Sequence, residues 1–223
     1  VAMSSDDYGP GSQGSLLLCR DVLPRMSSFF HCTSDLSAAA HWAVNSLNLQ
    51  FSADGDGAND MQIACSFGLL ADAQFAQQDV HGAEKLYTQA LDMKRTVYGS
   101  DAKNADVAET LRKLANVKVL MWDLPGARRL CEEALDMMRS VHGSSAKTRD
   151  VARSLYSLGF VSSMMKDLDR AQELFGQALE MMRSMPNLDH AQMDIAMAIQ
   201  SLADVKLDTH DLDVSCRLYE QVL

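Results

Sequence analysis

Apolar residues recur along this chain at spacings of three and four, and the whole pattern returns every 44 residues without a gap. The stretch LYTQALDMKRTVYG begins at Leu86, LCEEALDMMRSVHG at Leu130 and LFGQALEMMRSMPN at Leu174, and LYEQVL opens a fourth copy at Leu218. Ala83, Ala127 and Ala171 are in phase, as are Ala90, Ala134 and Ala178, and Met93, Met137 and Met181. A second block lies between these copies: Val107, Val151 and Ile195; Leu111, Leu155 and Ile199; Leu114, Leu158 and Leu202. The same offset carries the second block back to Ile63, Ala64, Phe67, Leu70 and Ala71, and the first to Ala39, Trp42 and Leu47. One period earlier Leu23 and Met26 match more weakly.

Spacings of three and four place apolar side chains on one stripe of a helix. Each period therefore predicts two helices, over about 102–121 and 124–142 in the third period. The polar punctuation agrees. Asp101, Ser145 and Asp189 share a phase suited to capping the first helix, because their side-chain oxygens can accept from unpaired N–H groups. Asp35, Asp79, Asp123, Asp167 and Asp211 recur in the short turn between the helices, where a carboxylate caps the incoming helix and faces its positive end. Gly55, Gly99, Gly143 and Asn187 follow the second helix, and these residue types tolerate positive φ there. Pro24 falls inside the earliest apolar pattern and is expected to kink or restart that helix.

A lone helical pair cannot bury its apolar face, so the pairs are expected to stack. The fold class expected is all-α: a helix-turn-helix solenoid of 44-residue period with about ten antiparallel helices. Residues 14–223 read as a single array of four to five repeats, and residues 1–13, polar and turn-rich, as a flexible tail. The chain begins with Val and stops inside a repeat, which is read as a piece of a longer chain.

Composition narrows the function. The hydrophobic fraction of 47% supports a core. A formal charge of −10 and a pI near 4.9 disfavour nucleic acid, whose phosphates need a basic footprint, and anionic membrane surfaces. No apolar run approaches the roughly 18 residues of a membrane span. The five Cys (Cys19, Cys32, Cys65, Cys131 and Cys216) are odd in number and scattered, so they fit buried, reduced thiols rather than a disulfide framework or a zinc motif. An intracellular setting is expected, most simply the cytoplasm, with an organelle also open.

The segment LRKLANVKVLMWDLPGARRLCEEAL resembles the tetratricopeptide repeat: Leu111, Leu114, Ala115, Asp123, Ala127, Leu130 and Ala134 fall on its apolar, small and turn positions. LYSLGFVSSMMKDLDRAQELFGQAL is similar, through Leu158-Gly159, Ala171, Phe175 and Ala178. Gly99 followed by Asp106-Val107-Ala108, and Gly143 followed by Asp150-Val151-Ala152, resemble the longer-helix variant typified by kinesin light chain. Two features depart from that variant. The period is longer, and its LNNLA segment, which can contact cargo, reads LRKLA, LYSLG, IQSLA and FGLLA here. The resemblance implies a non-enzymatic scaffold that binds a protein or peptide on the concave face of the solenoid, without carrying over a specific cargo chemistry.

No catalytic constellation stands out, and no cofactor is expected. The six His have no HxxxH or HExxH spacing. DGDGAND at 54–60 lacks the Glu that closes a calcium loop and reads as an inter-repeat loop. The 14 Met read mainly as core filling, since half are repeat-phased. Arg95, Arg139 and Arg183 form a phased row suited to helix C-termini, or alternatively an anion-binding stripe. The resemblance implies that first-helix residues line the concave face. The partner-binding candidates are Arg112, Lys113, Asn116, Tyr156, Phe160, Gln200 and Asp204. Tyr156 and Phe160 share a helix face where the other repeats are polar, and they serve either as an anchor or as packing for the next repeat. Arg112, Lys113 and Lys118 form a basic cluster able to receive an acidic peptide or a C-terminal carboxylate. The alternative is a structural segment docked permanently in a larger multiprotein assembly.

Overall fold

A computed structural model describes residues 41, 43–45, 60–100, 102–143, 146–185 and 192–221. The tail at 1–13, the region of Pro24, and Asp35, Trp42, Gly55, Asp101, Ser145, Asn187 and Asp189 lie outside the described residues. The described chain is helical and divides into two compact units, Val1–Gly99 and Ser100–Leu223. In the first, α1 (Asp60–Ala76) packs against α2 (Val80–Tyr98). In the second, three helical pairs follow: α3 (Ala105–Leu120) with α4 (Leu124–His142), α5 (Arg149–Met164) with α6 (Leu168–Arg183), and α7 (Gln192–Asp208) with α8 (Leu212–Glu220). There α4 contacts α5 and α6 contacts α7, while the first helices α3, α5 and α7 follow one another side by side. This is the expected all-α helix-turn-helix solenoid architecture of 44-residue period.

The repeat-phased small and apolar residues form the core. Ala83, Ala127 and Ala171 are fully buried, as are Ala90, Ala134 and Ala178, because alanine allows the helices of a pair to approach closely. Leu111, Leu155, Phe175, Met138 and Met182 fill the interior. Gly159 on α5 illustrates the closeness: a Cβ there would stand 2.9 Å from the Phe175 ring and 3.3 Å from Leu174 Cβ on α6. Met137, Met138 and Met182 are core, whereas Met165, Met193 and Met197 are exposed. Cys131 is buried as expected, and burial pushes its thiol up to about 12. Cys65 and Cys216 are exposed, contrary to expectation, because each sits on the outward side of its helix.

The turn within each pair closes by the same device four times. Gln78, Trp122, Lys166 and His210, again 44 apart, adopt positive φ of 60–65°. The following Asp N–H reaches back to a carbonyl five residues earlier, as Asp123 to Lys118 at 2.9 Å, and Trp122 N–H bonds Val119 O at 3.0 Å. These are Schellman closures without the usual glycine. The Asp then stands at the N-cap. Asp79 Oδ1 and Asp123 Oδ1 accept from Gly82 N and Gly126 N at 3.0 Å, but Asp167 and Asp211 make no such side-chain bond. The two capping carboxylates occupy the space that a Cβ at Gly82 or Gly126 would take; Arg170 and Val214 stand at the equivalent positions of the other two helices. In the four described turns the repeated Asp thus stands at the cap, and in two of them its side chain bonds.

The first helices begin later than the pattern suggested. Asn104 caps α3 by accepting from Asp106 N at 2.7 Å, and Thr148 caps α5 through Val151 N at 3.4 Å. No large apolar side chain precedes Val107 or Val151 in these segments, so an additional turn would bury nothing. The second helices α2 and α4 end at Gly99 and Gly143, whose φ of 93° and 96° with ψ near 143° is a region essentially restricted to glycine. Helix α6 stops at Arg183, three residues before Pro186, which disfavours helix in the residue ahead of it.

Candidate partner-binding groove

The 44-residue period brings equivalent positions of successive first helices side by side, and residues i and i+4 share a face of each helix. In the second unit this arrangement builds a cavity of about 180 Å³. Helix α3 contributes Arg112 and Asn116, and α5 contributes Arg153, Tyr156, Ser157 and Phe160. Helix α7 adds Asp194 and Met197, and Met182 of α6 closes the floor.

Of the sequence candidates, Arg112, Asn116, Tyr156 and Phe160 line this cavity together, whereas Lys113, Gln200 and Asp204 do not. Asp204 ties its own pair together by accepting from the Tyr219 hydroxyl, and this bond holds the phenol proton so that its pKa is raised. The same bond joins Tyr87 to Asp72 in the first unit. Lys118 turns away to Asp123 at 3.5 Å. The basic cluster read from sequence is thus divided between two locations.

Arg112 is 7% exposed, and its Nε and Nη2 donate to the Glu109 carboxylate at 2.8 and 2.5 Å. Burial pushes the Glu109 pKa up, but the hydrogen bonds and charge of Arg112, with the charges of Arg153 and Lys113, outweigh it and hold the carboxyl below its ordinary value. Arg153 is held more loosely, its Nη2 lying 3.9 Å from Glu109 Oε1. Asp194 Oδ2 accepts from Arg149 Nε at 2.7 Å, which joins α7 to α5.

The two aromatics take different roles. Tyr156 packs its ring 5.4 Å from that of Phe175, and its hydroxyl meets Ser201 Oγ at 3.1 Å, so it is partly a structural residue between repeats. Phe160 remains 39% exposed, with Met197 at 44% beside the same cavity. Arg153 and Met197 were absent from the sequence candidates although they share the phase of Glu109, which was a readable signal. Met182 had no signal, since its repeat equivalent Met138 is simply buried. Among the described residues no group of three or more His, Cys, Asp or Glu side chains could hold a metal ion, and no helix is long and apolar enough to cross a membrane.

Helix-turn-helix pairs repeating at constant period, with first helices side by side, define an all-α helical-repeat fold of TPR-like architecture. In particular, residues 106–184, from α3 to the end of α6, match the family model of the Tetratricopeptide repeat. No curated protein is similar enough to the chain to match it. Solved structures share the fold. BtubC (BKLC) from P. vanneervenii has a TM-score of 0.71 at 17% identity, covering 97% of this chain and 90% of that one. The TPR-like repeats of a putative kinesin light chain from Podosopora anserina have a TM-score of 0.67 at 14% identity, covering 91% and 92%. A Rap protein complexed with Competence and Sporulation Factor has a TM-score of 0.74 at 14% identity; the match covers 92% of this chain and 53% of that protein.

Proposed function

We propose that this chain is a non-enzymatic scaffold that captures a peptide or protein partner on the first-helix face of its Ser100–Leu223 unit, the concave face of the array. The observation that carries this reading is the cavity itself: exposed Phe160 and Met197 stand beside a loosely held Arg153 and the Asn116 amide. Apolar area next to charge-assisted hydrogen-bonding groups is the composition of a binding hot spot. A Rap protein of the same fold forms a complex with the Competence and Sporulation Factor, which supports partner capture as a use of this architecture. The acidic character of the chain argues against a nucleic-acid partner.

Phe160→Ala tests the reading. A partner isolated on the immobilised chain is expected to bind about tenfold more weakly to the variant, the effect of removing one anchor worth roughly 1.4 kcal/mol. Unchanged affinity, with helicity intact by circular dichroism, sinks the reading. A second reading, permanent docking in an assembly, has its own observation: Leu120, Trp122, Met165, Leu207 and Leu212 are exposed at or near the turn ends of the pairs, Trp122 at 74%. Apolar exposure there favours a covered edge. Trp122→Ser would then release the chain from its assembly while Phe160→Ala would not.

A further inference from the structure

The cavity is lined by one member of each of three ion pairs, Arg112–Glu109, Arg153–Glu109 and Arg149–Asp194. Arg112 faces it, and Glu109, its partner, is not among the lining groups. Asp194 faces it, and Arg149, its partner, is not. The opposite charges come from different helices. Arg112 lies on α3, and Arg153 of α5 leans toward α3 through Glu109. Asp194 lies on α7, beyond α5 on the other side, and is 18% exposed. Its Oδ2 accepts from Arg149, which leaves Oδ1 as an acceptor for a ligand. Tyr156, Phe160, Met182 and Met197 provide the apolar and aromatic part of the same cavity.

Resting on the peptide-capture reading, we infer that the groove selects a dipolar segment: an apolar side chain flanked by an acidic group set against Arg153 and a basic group set against Asp194. A doubly acidic segment would place one carboxylate beside Asp194, and a doubly basic one would place a cation beside Arg112 and Arg153. Like charges in a partly desolvated site oppose binding as strongly as opposite charges favour it. Asp194 is thereby a specificity-determining residue that excludes the doubly acidic competitor.

Four fluorescently labelled heptapeptides test this, all with a central Leu and with its flanks Glu/Lys, Glu/Glu, Lys/Lys or Gln/Gln. Fluorescence anisotropy with the full chain is expected to rank Glu/Lys tightest, by about fivefold or more, at low ionic strength, where such charge effects are least screened. The assay does not depend on chain direction, because either direction can satisfy one acid and one base. In Asp194→Lys the preference should move to Glu/Glu, and in Arg153→Glu to Lys/Lys, with circular dichroism confirming retained helix. Asp194→Asn should bring the Glu/Glu and Glu/Lys affinities together. If the wild type binds Glu/Glu as tightly as Glu/Lys and Asp194→Lys changes nothing, the dipolar inference is overturned. The capture reading still stands in that case if Phe160→Ala weakens all four peptides. If none of the four binds, or if binding is indifferent to both Phe160→Ala and the charge variants, both readings fall.

Discussion

Gly159 and Phe175 set the spacing of the central pair in the second unit. Phe175 is fully buried, and the missing Cβ at 159 lets its ring lie on the α5 backbone. The equivalent positions hold Ala71, Ala115 and Ala203, opposite Tyr87, Cys131 and Tyr219. The small residue is thus kept, and the ring in this pair requires the smallest one. Gly159→Ala gains about 1 kcal/mol of helix propensity but forces the buried ring to move, a strain of about 1–3 kcal/mol. The expected outcome is a net loss, read as a lower midpoint in urea with an unchanged slope. An increase in the midpoint would show that the ring has room to shift. Arg112 carries a different lesson at this scale. As a letter in LRKLA it reads as an available cation, yet folded it is buried and committed to Glu109. Arg153, one repeat on from Glu109, is the more available charge, because its contact to that carboxylate is long.

Among the elements, the second helices show how a repeated residue can hold a constant place and a variable bond. Asp123 bonds Gly126 N and also pairs with Lys118, whereas Asp167 stands at the equivalent cap without a side-chain cap bond. Asp123→Ala should therefore cost about 1 kcal/mol, as lost N-caps do, and Asp167→Ala only a few tenths. Thermal melts of the two variants read the difference directly; equal shifts would mean that the carboxylates act only through the helix dipole. The ends of the helices were legible to different degrees. Gly99 and Gly143 mark their ends correctly because the required backbone region admits little else. The starts of α3 and α5 were misplaced by one turn, since Asp, Ser, Asn and Thr are all competent caps and composition does not choose among them. Packing chooses, through the first buried valine of each helix.

Across the second unit, neighbouring pairs are tied by polar contacts that bridge roughly one repeat: Arg149 to Asp194, Tyr156 to Ser201, Lys166 to Asp208 at 2.9 Å, and Arg170 to Glu132 at 3.0 Å. Most are exposed and individually weak, so cohesion rests on the buried alanine, leucine and methionine seam. Glu109 is the exception, being half buried between Arg112 and Arg153. Its folded pKa lies below its ordinary value, because the hydrogen bonds and charge of Arg112 outweigh the effect of burial. Its contribution is therefore present above that ordinary value and is lost as pH falls through the lower folded value. Glu109→Gln should be less stable than the wild type near neutrality, and the gap should close as the pH falls below the ordinary glutamate range and through the lowered folded pKa. Denaturation midpoints measured across that window check it; a gap that stays constant with pH would exclude the charge of Glu109 as its cause.

By itself the sequence determined the period, the alternation of first and second helices, the buried phase and the site of each turn. These follow from local rules that repetition confirms, because a pattern of threes and fours seen once is weak and the same pattern at a constant offset is strong. It also put Arg112, Asn116, Tyr156 and Phe160 on one face, where they line the same cavity, since a constant offset of 44 sets equivalent positions of stacked helices side by side. Only the tertiary structure decided which charges stay available. Whether Arg112 meets Glu109, Asp194 meets Arg149 or Asp204 meets Tyr219 depends on distances of a few ångströms between residues up to 45 positions apart. It alone placed Met182 beneath the groove, because a residue whose repeat equivalent is plain core carries no mark of a cavity above it. Periodicity reports which face a side chain is on, and electrostatic partnership is settled only when the faces meet.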